Sequence, residues 1–215
     1  MPSQTRIPSS TVNEALEHLS ACDPVLAKVI TRAGAFGLRL QSDRLEMLIR
    51  SIVSQQISTG VARAIFDRVQ KLSRGEDGAF CVNKLSAASV EDLRAAGLSR
   101  QKASYVHDLA ARVTDGRLNL PAIHKLSNDE VIEALTQVHG IGVWTAHMFL
   151  MFCLGRPDVF AWGDYGVRAA MRNVYGLKEL PDRKKSEKIA QRWHPYATIA
   201  CWYLWRSLEF QKTTD

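Results

Sequence analysis

The chain has 215 residues, 46% of them hydrophobic, and a formal net charge of +6. That is enough for one or two small domains around a sizeable core, and no run approaches the roughly 18 consecutive apolar residues of a membrane span. The basic balance suits an anionic partner without identifying one.

In chain order, Met1 to Ser10 is polar and lacks the apolar core of a secretory signal, so an intracellular protein is expected (cytoplasm or nucleoid in a bacterium, nucleus in a eukaryote). Thr11 with Glu14 has the spacing of a capping box and predicts the start of a first helix. Asp23-Pro24 predicts an N-cap followed by proline in the first turn, and Gly34 a stop. From Asp43, apolar residues at Leu45, Leu48, Ile49, Ile52 and Val53 keep helical spacing. A turn near Ser58-Thr59-Gly60 leads to a helix carrying Ile65, Val69 and Leu72, and Gly75 to Gly78 reads as a polar loop. Ser89 and Ser99 each predict a cap, the first for a helix ending at Gly97 and the second for one ending at Asp115-Gly116. Ser127 with Glu130 is a second capping box, opening a helix that carries Val131, Ile132 and Leu135.

No run of alternating β-branched residues occurs, so the expected class is all-α with about ten helices. Cys22, Cys81, Cys153 and Cys201 are far apart. Their spacing excludes the tight run that holds an iron–sulfur cluster, and buried, inert thiols are expected.

The strongest local signal runs from Leu135 to Leu154. One helix ends near Val138, His139-Gly140-Ile141-Gly142 follows, and a second helix begins at once with Trp144, Thr145 and Ala146. Two glycines one residue apart permit positive φ and close backbone approach, at a helix start whose amides and dipole favour an anion. Alone, such a turn is equally compatible with a plain interhelical connection. About twenty residues on, Asp164 opens a further helix after Gly155-Arg156-Pro157 and Ala161-Trp162-Gly163; alone, it could be only an N-cap. Five tryptophans, at 144, 162, 193, 202 and 205, could all be core residues. Arg183-Lys184-Lys185 reads as a solvated face.

Together, Leu135-x-x-Val138-His139-Gly140-Ile141-Gly142-x-Trp144-Thr145-Ala146 and the downstream Asp164 resemble the helix-hairpin-helix DNA glycosylase superfamily, most closely its alkylpurine (3-methyladenine) glycosylases of type II. The likeness covers most of the chain from about Leu45 onward. One departure is His139, where the family usually has proline.

The resemblance implies two helical lobes with the active-site cleft between them. One is a middle lobe over 44–156 containing the hairpin, the other combines 11–43 with 157–215 and carries the catalytic aspartate, Asp164. His139, Gly140, Ile141, Gly142 and Thr145 would hold the DNA backbone, with Ser99 and Lys102 as further phosphate contacts. A Na+ or K+ ion on the carbonyls of Val138 and Ile141 would be the one inorganic cofactor. Trp205, Trp144, Gln55 and Trp162 would line the pocket for a flipped base, while Gln56 fills the gap it leaves. Met148 stands where some relatives have an aromatic ring.

Bifunctional members carry a lysine nucleophile at the position of Trp144. The implied enzyme is therefore a monofunctional glycosylase acting, as a monomer, on alkylated purines in damaged double-stranded DNA. The alternative of another class is a catalytically silent protein that binds alkylated or abasic DNA through the same hairpin.

Overall fold

The structure is a computed structural model, and it describes residues 6–75 and 80–210. Among the described residues, twelve α-helices run in chain order: α1 (Ser9–Cys22), α2 (Pro24–Ala33), α3 (Arg44–Ser54), α4 (Thr59–Ser73), α5 (Val82–Ala87), α6 (Val90–Ala95), α7 (Arg100–Thr114), α8 (Asn128–Thr136), α9 (Val143–Phe152), α10 (Tyr165–Val174), α11 (Arg183–Ala190) and α12 (Ala197–Ser207). Two 3-10 turns, Ile123–Lys125 and Gln191–Trp193, complete the described elements. The only β pairing among the described residues is a single bridge between Arg74 and Phe80. Of the expected polar loop, residues 76–78 lie outside the described residues. No helix among the described residues is long and apolar enough to cross a membrane.

The helix starts follow local chemistry. Asp23, Asp43, Ser89, Ser99, Ser127 and Asp164 each accept a backbone N–H of the helix they precede, satisfying donors that a first turn leaves orphaned. Thr11 does not start α1. The helix begins at Ser9 after Pro8, whose carbonyl accepts the Val12 amide, and no side chain caps it. Proline already holds a fixed φ at that point, so the chain enters the helix before the capping-box pair is reached.

The chain divides into two compact units, Gln41–Phe149 and Met1–Leu40 with Leu150–Asp215. The second boundary falls within α9, so Leu150 to Arg156, expected in the middle lobe, group with the unit that contains the N-terminal helices. There the Arg156 amide donates to the Leu150 carbonyl and the Phe152 ring stacks on Trp205.

In the middle unit, α7 packs against α3, α5 and α6, burying Ala103, Val106, Leu109 and Ala110. Helix α3 contributes Leu45, Leu48, Ile49, Ile52 and Val53 to the same core. In the other unit α12 packs on α2 and α10, and its residues 197–201, 203 and 204 are buried. Fully buried Asp23 caps α2 and also accepts from the Tyr175 hydroxyl (2.6 Å) and Trp193 Nε1 (3.0 Å). Burial, reinforced by that carboxylate, pushes the Tyr175 hydroxyl well above the usual phenol range.

No disulfide joins the four cysteines. Cys201 matches the expectation of a buried thiol, and burial pushes it up to about 12. Cys22, Cys81 and Cys153 are only half-buried, because they sit at helix ends or in turns where one side faces solvent.

Candidate nucleic-acid interface and catalytic carboxylate

In the middle unit, the segment between α8 and α9 is a tight turn in which the Ile141 amide donates to the Val138 carbonyl (3.1 Å). Of its two glycines only Gly140 is left-handed, with φ 80°. A Cβ there would stand 2.1 Å from Tyr105 Cδ2, so α7 lies directly against the hairpin backbone. A Cβ on Gly142 would meet nothing within 4 Å and would project into open space. The first intrahelical bond of α9 runs from the Ala146 amide to the Gly142 carbonyl. A glycine with open space before it, at a helix start, is where an anion can approach the backbone closely.

His139 gives the turn something proline would withhold. Its N–H donates to Asp108 Oδ2 (2.8 Å), and its Nδ1 lies 3.1 Å from the same oxygen. Asp108 is in turn held by the Arg112 guanidinium at 3.1 Å. Burial works against the Asp108 charge, but the His139 amide and Arg112 outweigh it and hold the carboxyl below its usual range.

The segment after α3 is tied to this hairpin. Gln55, expected in the base pocket, has its Nε2 directed at the hairpin, where it donates to the Gly140 carbonyl (2.8 Å). Gln56 is exposed and left-handed, with φ 55°. The Lys102 ammonium donates to the carbonyls of Val53 (2.7 Å) and Gln55 (2.6 Å), and burial lowers its pKa. Two of its three donors thus cap the end of α3, where a surface cation meeting phosphate was expected. Ser99 is exposed, and its hydroxyl oxygen caps α7 by accepting the Lys102 amide (3.2 Å). Ile141 and Thr145 are buried. Val138 is buried as well. Its carbonyl, already accepting from Ile141, keeps capacity for one further partner, as a carbonyl oxygen has two lone pairs. Trp144 is exposed on the first turn of α9, and Met148 is buried.

In the other unit, Asp164 caps α10 by accepting the Val167 amide on Oδ1 (2.8 Å), and the same oxygen accepts Trp205 Nε1–H (2.9 Å). Trp205 stacks on Phe152 with ring centroids 5.8 Å apart and planes 29° apart. A Cβ on Gly166 would stand 3.1 Å from both Asp164 Oδ1 and Trp205 Cδ1. A hydrogen at that position is therefore what lets the indole reach the carboxylate. Trp162, expected in the base pocket, has one ring face covered by the Arg183 guanidinium at 4.3 Å. A face already holding one cation is poorly suited to stack a positively charged alkylated base. Trp193 is fully buried and Trp202 packs edge-on against Phe36 and Tyr203, as structural residues do.

Hairpin, left-handed glutamine and capped carboxylate coincide with a known sequence pattern: residues 49–195 match the HhH-GPD superfamily base excision DNA repair protein family. The chain belongs to the HhH-GPD superfamily. DNA-3-methyladenine glycosylase 1 of Schizosaccharomyces pombe is 31% identical over 203 residues, spanning 92% of this chain and 88% of the relative. The crystal structure of a Bacillus halodurans DNA-3-methyladenine glycosidase superposes with a TM-score of 0.84 at 36% identity, covering 93% of this chain and 91% of that one. The S. pombe 3-methyladenine DNA glycosylase Mag1 in complex with abasic DNA superposes with a TM-score of 0.80 at 31% identity, covering 91% and 97%.

Within this HhH-GPD chain, local spacing did not single out Tyr105, Asp108, Arg112 or Gly166, which support the turn and the carboxylate. It also passed over Tyr165, an exposed aromatic immediately after Asp164. The signal available for Asp108 was its place on α7 two turns after Lys102, on the flank that also carries Tyr105.

Asp108 makes a pH prediction. Because its folded-state pKa lies below the unfolded value, it contributes stability at neutral pH that is lost as the pH falls through and below the ordinary carboxylate range, about pH 4. Asp108→Asn is expected to lower the urea midpoint at pH 7 and to flatten its fall on acidification. Parallel pH profiles for the two proteins would show that the His139–Asp108 contact contributes nothing.

Proposed function

We propose that this chain is a monofunctional DNA glycosylase that hydrolyses the N-glycosidic bond of alkylated purines, of the 3-methyladenine and 7-methylguanine type, in duplex DNA. The observation that carries the reading is Asp164 Oδ1, held by the Val167 amide and by Trp205 Nε1–H in a chain of this family. The Mag1 relative in complex with abasic DNA supports the choice of DNA as partner.

The chemistry follows from the bond. As the base departs with the glycosidic electron pair, positive charge accumulates on the deoxyribose, as in other glycoside hydrolyses. A carboxylate whose position is fixed beforehand opposes that charge without reorganising, and it accepts a hydrogen bond from the water that attacks C1′. Water adds its oxygen to the sugar and gives up a proton; the products are the free base and an abasic site. An N-alkylated purine already bears positive charge, so its departure requires no strong general acid.

The nucleotide must first leave the stack. Trp205, anchored to Asp164 by its N–H and to Phe152 by one face, offers a fixed aromatic surface for the extruded base, with Trp144 a second candidate. Gln56 fills the vacated position, and the turn from His139 to Gly142 holds a backbone phosphate. The carbonyls of Val138 and Ile141 are hard oxygen donors of the kind an alkali cation takes, and such a cation would supply only charge against that phosphate.

Absence of lyase activity is supported by Trp144 at the position where bifunctional relatives carry lysine and by the Lys102 ammonium being engaged on two carbonyls. Incubation with duplexes bearing 3-methyladenine or 7-methylguanine is expected to release the free base, and borohydride to trap no covalent enzyme–DNA adduct. A trapped Schiff base would overturn the monofunctional reading. Tight binding to abasic DNA with no base released from any alkylated duplex would replace it with a silent lesion-binding protein.

A further inference from the structure

Helix α3 ends at Ser54, and its last carbonyls need partners from outside the helix. Helices commonly solve this with a left-handed glycine just beyond the end. Here the left-handed residue is Gln56, with φ 55°, the only described non-glycine residue with positive φ. An L side chain is strained in that conformation, and it persists where surrounding contacts over-determine the backbone. Those contacts are visible. The Lys102 ammonium bridges the carbonyls of Val53 (2.7 Å) and Gln55 (2.6 Å), on either side of the helix end, and Gln55 Nε2 ties the same turn to the Gly140 carbonyl (2.8 Å). Glycine at 56 would relieve the strain but would present no side chain, so the strain is explained by what the exposed amide does.

We propose that Lys102 is a positioning residue: its ammonium, by clamping the Val53 and Gln55 carbonyls, holds Gln56 in the left-handed conformation in which its side chain enters the gap left by an extruded nucleotide. This rests on the glycosylase reading above. Helix α7 then serves both DNA-directed turns of the middle unit. Lys102 sets the wedge turn, while Tyr105 and Asp108, one and two turns further along, set the hairpin through Gly140 and His139. One rigid helix thereby fixes the register between the phosphate contact and the wedge. Two of the three ammonium donors are spent on backbone, so the structure places Lys102 to act through the turn.

The test uses Lys102→Met, which keeps the stem and removes the charge and donors, Lys102→Arg, which keeps donors, and Gln56→Ala. Single-turnover release is measured from a duplex with a paired 7-methylguanine and from one in which the same base is bulged and already unpaired. Lys102→Met is expected to slow release from the paired lesion about tenfold to a hundredfold, and from the bulged one by about threefold or less, because only the paired base needs the wedge. Lys102→Arg should recover most of the loss, and Lys102→Met combined with Gln56→Ala should be no worse than the larger single effect.

In the free protein, amide hydrogen exchange over residues 55–58 should rise about tenfold in Lys102→Met relative to amides in the middle of α3. Equal losses on paired and bulged DNA, multiplying losses in the double variant, or unchanged exchange at 55–58 would each overturn the proposal. Should the native chain release no base from either DNA, the glycosylase reading fails, and the exchange measurement in the free protein still decides whether Lys102 holds the turn.

Discussion

Asp164→Asn is expected to lower the single-turnover rate of 7-methylguanine release by about a hundredfold to a thousandfold or more, while leaving fold and DNA affinity nearly intact. Asparagine retains a side-chain carbonyl that can accept both the Val167 amide and Trp205 Nε1–H, and it is as good an N-cap as aspartate. What is removed is the negative charge that the proposed mechanism sets against the deoxyribose as the base leaves. Each tenfold in rate corresponds to about 1.4 kcal/mol of transition-state stabilisation, so the expected loss is about 3–4 kcal/mol from one group. Thermal unfolding and binding to abasic duplex, measured on the same preparations, separate this from a folding defect. Release within tenfold of the native rate would remove Asp164 from the mechanism.

A second substitution divides the roles of its indole partner. Trp205→Phe keeps an aromatic surface against Phe152 but loses the N–H that fixes Oδ1. Its loss in rate should be smaller than that of Asp164→Asn, about tenfold, since the charge remains and only its placement loosens.

The features legible in the sequence were the local ones. Asp23, Ser89, Ser99, Ser127 and Asp164 cap helices because each side chain needs only an amide two or three residues ahead. Gly140 and Gly142 were legible as a turn, but identical letters hid two roles. Only Gly140 is left-handed, and only there does a residue remote in sequence, Tyr105, leave no room for a Cβ. The tertiary partners were likewise out of reach of spacing. Asp108 meets His139 across 31 positions, Gln55 meets Gly140 across 85, and Trp205 meets Asp164 across 41. Lys102 shows the cost most plainly. A lysine at a helix start reads as a surface cation until the helix end it clamps is known.

The same distinction between the two glycines yields the second large effect. Gly140→Ala should both destabilise the protein and weaken DNA binding, by about tenfold to a hundredfold, because it fails on two independent grounds. At φ 80° an L residue costs about 1–2 kcal/mol. Its Cβ would also lie 2.1 Å from a ring carbon of Tyr105, so either the ring or the turn must move. Moving the turn strains the Gln55–Gly140 and His139–Asp108 bonds that hold it to the segment after α3 and to α7.

Gly142→Ala is the informative contrast. No atom lies within 4 Å of the added methyl, and the backbone is not left-handed, so the melting temperature should stay within about 2 °C of the native value. If the open space in front of Gly142 is where a phosphate approaches the start of α9, that methyl still obstructs it, and affinity for abasic duplex should fall about tenfold with stability unchanged. The loss should reduce the slope of log affinity against log salt by about one phosphate contact. Undiminished DNA binding by Gly142→Ala would place the phosphate elsewhere and leave the hairpin a structural turn. Loss of binding without loss of stability would locate the backbone contact at that glycine, with Tyr105 and Asp108 of α7 serving to keep it in place.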